Sequence, residues 1–214
     1  MPLNQYFSNN IGLKSELRSI KYQYKKNSFE FTSDNGVFSK NEVDYGSQVL
    51  VETILKHVNN DNLNILDVGC GYGYIGVTLS KVLKSHVDMV DVNNRAIHLA
   101  EMNIKNNKVD SYAFYSDAYE SITNKYDMIV TNPPIRAGKE VVYKILLGAK
   151  DYLKGDGELW FVIRKNQGAK SALKDLESSY EMKIMDRSKG FYSIKAKKRW
   201  LYYLISLKSY FMAC

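Results

Sequence analysis

The chain has 214 residues, enough for a single domain with a substantial core, and its 45% hydrophobic and 13% aromatic content is that of a globular protein. No uninterrupted apolar run reaches about 18 residues, which excludes a membrane-spanning helix, while two cysteines (Cys70, Cys214) and three scattered histidines (His57, His86, His98) exclude a disulfide framework and a metal site. The net charge of +7 points to a polyanionic partner, although heavy use of Lys, Asn, Tyr and Ile beside only three prolines is also the bias of an A+T-rich genome and supplies part of it.

The opening MPLNQYFSNN reads as neither a signal peptide nor a basic presequence, so a cytoplasmic protein is expected. In residues 17–32, Ile20-Tyr22-Tyr24 and Phe29-Phe31 alternate on either side of Lys25-Lys26-Asn27-Ser28, the signature of a β-hairpin. Ser33 to Ser47 is rich in turn residues and has no period. Asp44 falls in the N-terminal capping region of a helix running from Gln48 to Val58.

Asn62 to Gly76, NLNILDVGCGYGYIG, is a short buried strand feeding a tight glycine loop and a helix over 74–84. Gly69, Gly71 and Gly73 permit positive φ and close approach to a ligand, toward which the helix turns its first N–H groups; an adenosine-containing cofactor is expected there. Cys70 is a small residue that fits the loop. The loop satisfies the dinucleotide pattern G-x-G-x-x-G from Gly71 to Gly76 and, from Asp67 to Gly73, the S-adenosylmethionine pattern of an acid followed by alternating glycines. Asp91, ending the strand 86–92, suits the ribose hydroxyls of either cofactor. Asn93 then caps a helix carrying Ala96, Ile97, Ala100 and Ile104, and an alternating segment, Tyr112 to Tyr115, runs into Ser116-Asp117-Ala118.

Strand 126–131 delivers Asn132-Pro133-Pro134 to the sheet edge where α/β proteins bind ligands. Consecutive prolines make a stiff turn with free carbonyls, which a nicotinamide enzyme does not need and an amino-methyltransferase does. The lone pair of a nucleobase or amide NH2 is delocalised, so attack on a sulfonium methyl requires both N–H groups to be held by acceptors. The Asn132 side-chain oxygen and the Pro133 carbonyl suit that role. An ordinary Asn-Pro turn is the plainer alternative. An amphipathic helix from Val141 to Leu153 follows, ended by a turn at Lys154 to Gly157. Strand 158–163, helix 168–179 and strands 181–187 and 190–197 complete an α/β order with a mostly parallel sheet and an antiparallel last hairpin. Trp200 to Met212 is apolar on every side, too short to span a bilayer, and has no functional account.

ILDVGCGYG, the acid in VDVN, SDAY and TNPPIRAGK resemble the bacterial methyltransferase small domain family, within it the ribosomal RNA guanine-N2 branch acting on the small subunit. The resemblance spans roughly Lys14 to Lys198. It implies a Rossmann-like class I methyltransferase with a seven-stranded, mostly parallel sheet: residues 1–198 as one domain (1–44 hairpin and cofactor-covering segment, 45–198 catalytic core) and 199–214 as a tail. It implies S-adenosylmethionine as cofactor, with Asp67, Gly69, Cys70, Gly71 and Gly73 shaping the methionine pocket. Asp91 and Val92 would lie at the ribose, Asp117 and Ala118 at the adenine, and Phe38, Gly46 and Ser47 near the methionine end. Asn132, Pro133 and Pro134 would carry the catalysis. Ile135 would pack on the base, with Arg136 and Lys139 on flanking phosphates; Arg18, Lys21, Lys25 and Lys26 of the hairpin, and Arg164-Lys165, are candidate RNA contacts, with a lid on the core and a solvated helix entrance as the plainer alternatives. Adenine-directed relatives more often carry an aromatic after the prolines, so Ile135 favours guanine. The expected partner is ribosomal RNA or the small-subunit particle, with no membrane or metal and the chain a monomer or weak homodimer. Methylation of adenine or of a protein glutamine, and a non-catalytic ribosome-assembly RNA binder, are the alternatives.

Overall fold

The computed structural model describes residues 13–199, so the expectations for the first twelve residues and for the tail from Trp200 lie outside the described residues. Strands β1 (Arg18–Tyr24) and β2 (Asn27–Ser33) form the expected hairpin. Helix α1 (Tyr45–His57) precedes β3 (Asn64–Val68), α2 (Tyr74–Leu83), β4 (His86–Asp91), α3 (Asn94–Asn107), β5 (Ser111–Tyr115) and β6 (Tyr126–Thr131). A 3₁₀ turn (Ile135–Ala137), α4 (Lys139–Tyr152), β7 (Leu153–Arg164), a second 3₁₀ turn (Lys165–Gln167), α5 (Ala169–Leu176), β8 (Tyr180–Ser188) and β9 (Phe191–Lys198) follow.

The seven-stranded sheet has the order β5-β4-β3-β6-β7-β9-β8, parallel except for β9, which is antiparallel to both β7 and β8. This is the Rossmann-like arrangement expected. Chain order reverses between β3 and β6, and the crevice at the C-terminal ends of such a pair is where open α/β sheets bind ligands. Side chains alternate between two buried layers: Ile65 and Trp160 enter the core beneath α1 and α2, while Leu66 and Phe161 enter the core beneath α4 and α5.

Three local expectations change. Lys154 to Gly157 is not a free turn but lies within β7, opposite a register shift between Tyr126 and Met128. Lys154 Nζ is held by Asp127 at 2.8 Å, and a Cβ on Gly157 would meet the Tyr126 carbonyl oxygen at 2.8 Å, so only glycine passes the partner backbone there. The helix expected over 168–179 is shorter, ending at Leu176, and α1 starts at Tyr45 because Asp44 is its N-cap.

The hairpin is stitched to α3 by two asparagines that stand in for a neighbouring strand. Asn103 Oδ1 accepts from Thr32 N (2.7 Å) and its Nδ2 donates to Thr32 O (2.9 Å); Asn107 makes the same pair of bonds with Glu30 (3.2 and 2.9 Å). This satisfies the free edge of β2, which would otherwise expose backbone donors and acceptors. Downstream, Arg95 pairs with Asp34 (3.1 Å) and donates to Asn35 O (3.0 Å), and Asn93 Nδ2 donates to Gly36 O (3.0 Å). These bonds lay the segment from Asp34 to Asp44 across the C-terminal edge of the sheet.

Candidate active site

At that edge lies a cavity of about 270 Å³, walled by the glycine loop after β3, the end of β4, the Ser116–Ala118 loop, the Asn132–Pro134 turn after β6, and the segment from Val37 to Ser47. Thr131 Oγ1 donates to the Val68 carbonyl (2.7 Å), tying the β6 end directly to the β3 end and fixing the spacing of the two loops.

The glycine loop is braced from behind by acids. Asp91 accepts from Gly71 N (2.9 Å) and Asn93 N (2.9 Å), and the fully buried Asp67 accepts from Gly76 N (2.9 Å). Of the N–H groups at the start of α2, that of Gly76 is spent on Asp67, and that of the N-cap Gly73 on the Cys70 carbonyl (3.0 Å). The three glycines also divide. Gly69 (φ +74°) and Gly71 (φ +56°) would meet nothing within 4 Å if given a Cβ, so their bare faces open on the cavity. Gly73 (φ +89°) would press a Cβ to 3.2 Å from that of Ala100, so its role is close packing against α3. Cys70 is buried with its thiol pushed well up by burial, hence neutral and a weak nucleophile.

Burial raises the Asp67 carboxyl to about 7, against the Gly76 hydrogen bond and helped by the negative charge of Asp91. One of its oxygens is buried without a partner. A carboxyl raised in the folded state favours folding while protonated, and that contribution is lost as pH climbs from the unfolded value near 4 through about 7. Asp67→Asn is therefore expected to flatten the fall in melting temperature between pH 5 and 8, removing roughly 3 kcal/mol of pH-dependent free energy over that range. Parallel melts of the two proteins across that range check it; equal slopes would contradict it.

Asn132 is held by a contact that spans 88 residues of chain: its Nδ2 donates to Asp44 Oδ2 (2.9 Å) and to Ser47 Oγ (2.9 Å). A carboxylate only accepts, so Asp44 fixes which way the amide faces, and Oδ1 is left without a protein donor among the described residues. The Pro134 carbonyl accepts from Ala137 N (2.9 Å), opening the 3₁₀ turn, whereas the Pro133 carbonyl has no protein donor among the described residues. Asp44 also caps α1 by accepting from Ser47 N (2.8 Å), so one carboxylate sets both the helix start and the amide.

Of the residues expected at the site, Phe38, Ser47, Gly69, Cys70, Gly71 and Asp91 line the cavity, as do Val92, Asp117, Ala118, Asn132, Pro133 and Pro134. Asp67 and Gly73 support it from outside. Gly46 does not line it either: a Cβ there would meet the Phe191 ring at 2.8 Å. Asp117 is ion-paired with Lys144 at 2.9 Å. The substrate side departs from expectation. Ile135 packs against the α4 core instead of facing the cavity, because the 3₁₀ turn rotates it inward and presents Ala137. Lys139 is bound to Asp175 (3.0 Å), and Arg136 is exposed away from the cavity lining. The sequence reading offered Asp44 only as a helix cap; an acid placed just ahead of α1 carries no local mark of its bond to Asn132.

A model of the methyltransferase small domain matches residues 28–195. The chain belongs to the methyltransferase small domain family. Within reach of that family it is 42% identical over 198 residues to the uncharacterized protein YbxB of Bacillus subtilis, covering 90% of this chain and 98% of that one. It is 35% identical over 132 residues to ribosomal RNA small subunit methyltransferase C of Mannheimia succiniciproducens, covering 59% of this chain but 39% of the relative. In fold it is similar to the T. thermophilus 16S rRNA N2 G1207 methyltransferase, solved with AdoMet and guanosine, with a TM-score of 0.77, 22% identity, and coverage of 87% of this chain and 52% of that one. The chain thus spans about two fifths to one half of the length of these two named methyltransferases.

Proposed function

We propose that the chain transfers a methyl group from S-adenosylmethionine to the exocyclic N2 amine of a guanine in small-subunit ribosomal RNA. The observation that carries this reading is the Asn132 amide, turned by Asp44 so that its oxygen and the Pro133 carbonyl form a free acceptor pair at the wall of the cavity. The cavity chemistry favours this cofactor over a dinucleotide. Asp44 and Asp91 line it, with Asp117 paired to Lys144, and no Lys, Arg or His is among the described lining residues; the Gly71 and Gly76 N–H groups are already taken by acids. A diphosphate meets repulsion there; a ligand bearing an ammonium and a sulfonium meets attraction.

When bound, S-adenosylmethionine supplies a methyl group activated by its sulfonium. The bare faces of Gly69 and Gly71 admit the cofactor, and Asp91, whose oxygens each accept one backbone N–H, has lone pairs left for two ribose hydroxyls. Asn132 Oδ1 and the Pro133 carbonyl accept the two N–H groups of the target amine, turning its lone pair out of the ring system. The amine nitrogen would gain a C–N bond as the S–CH3 bond breaks with its electron pair staying on sulfur as a neutral thioether, and would shed a proton to solvent; it acidifies as that bond forms, so a strong base is not required. A guanine amine in a stacked helix is inaccessible, so the substrate nucleotide is unpaired or extruded.

On this reading residues 1–198 form one cytoplasmic methyltransferase domain, with 1–44 as hairpin and cofactor-covering segment and 45–198 as catalytic core. Among the described residues no helix is long and apolar enough to cross a membrane and no acid, His or Cys cluster suits a metal ion. Incubation with labelled S-adenosylmethionine and separate pools of small-subunit RNA, assembled small subunits, DNA and protein tests the acceptor: label in N2-methylguanine is expected, and label confined to DNA or to glutamine overturns the assignment.

A further inference from the structure

The turn between β8 and β9, residues 188–191, sits at the same sheet edge as the Asn132 turn. The register shows this: Arg164 at the end of β7 pairs with Phe191, and Lys165 N donates to the Gly190 carbonyl at 2.8 Å. Four exposed cations stand at this end of the sheet, Arg164, Lys165, Arg187 and Lys189, and none is ion-paired among the described residues; Arg164 shares the face of Phe191 while Arg187 shares that of Tyr192, so the two flank the turn from opposite faces. The exposed Asp186 on β8 is their near neighbour in the chain and makes no bridge to them. At the opposite end of the same strands the pattern inverts: Lys154 is held by Asp127, and Lys195 and Lys197 by Glu158.

Three of the four cations lie over aromatic rings. Arg164 is 5.4 Å from the centre of Phe191, Arg187 5.4 Å from that of Tyr192, and Lys189 4.7 Å from that of Tyr45. A ring beneath a cation limits its rotamers without neutralising it, and a guanidinium on a ring still presents its N–H edge, so little ordering entropy is lost when an anion arrives. The turn is also joined to the catalytic wall. Tyr45 Oη and Ser188 Oγ share a hydrogen bond of 2.8 Å, and the Phe191 ring packs against Gly46. Tyr45 and Gly46 lie between Asp44 and Ser47, the two residues that hold Asn132.

We propose that the β8–β9 turn and the end of β7 form a phosphate-binding surface for the single-stranded RNA flanking the target nucleotide, anchored through Tyr45 to the residues that orient Asn132. This surface rests on the RNA reading above and deepens it: the hairpin β1–β2 is a wall stitched to α3, while the C-terminal hairpin receives the strand.

The test is binding of the full chain to a mixed-sequence single-stranded RNA, followed by fluorescence anisotropy across a salt titration, with methyl-transfer kinetics on the same RNA. The variant carrying Arg164→Gln, Lys165→Gln, Arg187→Gln and Lys189→Gln is expected to bind about 10²-fold more weakly at low salt, with the slope of log K against log salt smaller by roughly 2 to 3, about 0.7 per lost phosphate contact. KM for RNA rises while kcat at saturating RNA and the affinity for S-adenosylmethionine stay at wild-type levels. A second variant with Arg164→Lys, Arg187→Lys and Lys189→Arg keeps the charges and most of the salt slope. Lys189→Gln alone, on an exposed turn, reads the same effect at about 0.7 in slope if the quadruple variant does not fold. Wild-type slope and affinity in the neutralised variants, beside RNA methylation by the wild type, overturn the surface and leave the enzyme reading standing. A wild-type chain that neither binds nor methylates RNA overturns both.

Discussion

Asn132→Ala is expected to lower kcat for methyl transfer by about 10²–10³-fold, the usual loss when one preorganised polar group at a reacting centre is removed. The reason is specific to the amide's setting. Its Nδ2 is fully engaged by Asp44 and Ser47, so the side chain cannot swing to present a donor to the incoming amine, and Oδ1 is the atom offered. Without it one amine N–H has no acceptor and the lone pair returns to conjugation. Asp44 keeps its bond from Ser47 N, so the start of α1 survives and the cost in stability stays near 1–2 kcal/mol. Affinity for S-adenosylmethionine should change only a few-fold. Asp44→Asn probes the same arrangement from the other side: it removes the obligate acceptor, lets the Asn132 amide flip, and is expected to lower kcat about 10-fold with the Asn132 side chain still in place. Single-turnover rates at saturating cofactor and RNA measure both; undiminished turnover in Asn132→Ala would refute the role given to that oxygen.

Asp91→Ala is expected to weaken S-adenosylmethionine binding by about 10²–10⁴-fold while leaving kcat at saturating cofactor within about 10-fold. Two hydrogen bonds from ribose hydroxyls to a carboxylate are worth roughly 1.5–3 kcal/mol each, and the same substitution strips Gly71 N and Asn93 N of their acceptor. The loop would lose its brace as well as its ligand contact. Asp91→Asn separates the two effects: an amide keeps one acceptor and places a donor against one of those N–H groups, so it should fall between the wild type and Ala. Calorimetric titration of the cofactor into each protein gives the affinities, and a cofactor-free melt reports how much of the loss is loop integrity. Affinity within threefold of wild type in Asp91→Ala would contradict the assignment.

The contrast between these two acids shows what each position asks of a carboxylate. Asp91 is raised by burial yet shares its charge with two backbone N–H groups, of Asn93 and Gly71, and it reaches the cavity. Asp67 is sealed beneath the loop with a single such bond and one oxygen unpartnered, which is why its carboxyl is carried up to about 7. Both stand near the C-terminal end of a branched apolar run that forms a parallel strand. Only their depth separates a ligand-facing residue from a bracing one.

Local chemistry alone determined a great deal of this protein. Branched apolar runs ending in Asp67, Asp91 and Thr131 specify parallel strands, positive-φ glycines specify the loop, and two prolines specify a rigid turn at a strand end, because each of these depends on residues a few positions apart. The order of strands and helices then leaves few ways to assemble the sheet. Tertiary structure alone decided which loop residues face the cavity and which face the core: Gly69 and Gly71 against Gly73, Ala137 against Ile135. It also decided the contacts made across long stretches of chain, Asp44 with Asn132, Asn103 with Thr32, and the β8–β9 turn with Tyr45. Such pairs leave no periodic trace in the sequence, since a hydrogen bond between distant residues constrains only the two positions it joins, and their meeting is set by the packing of everything between them.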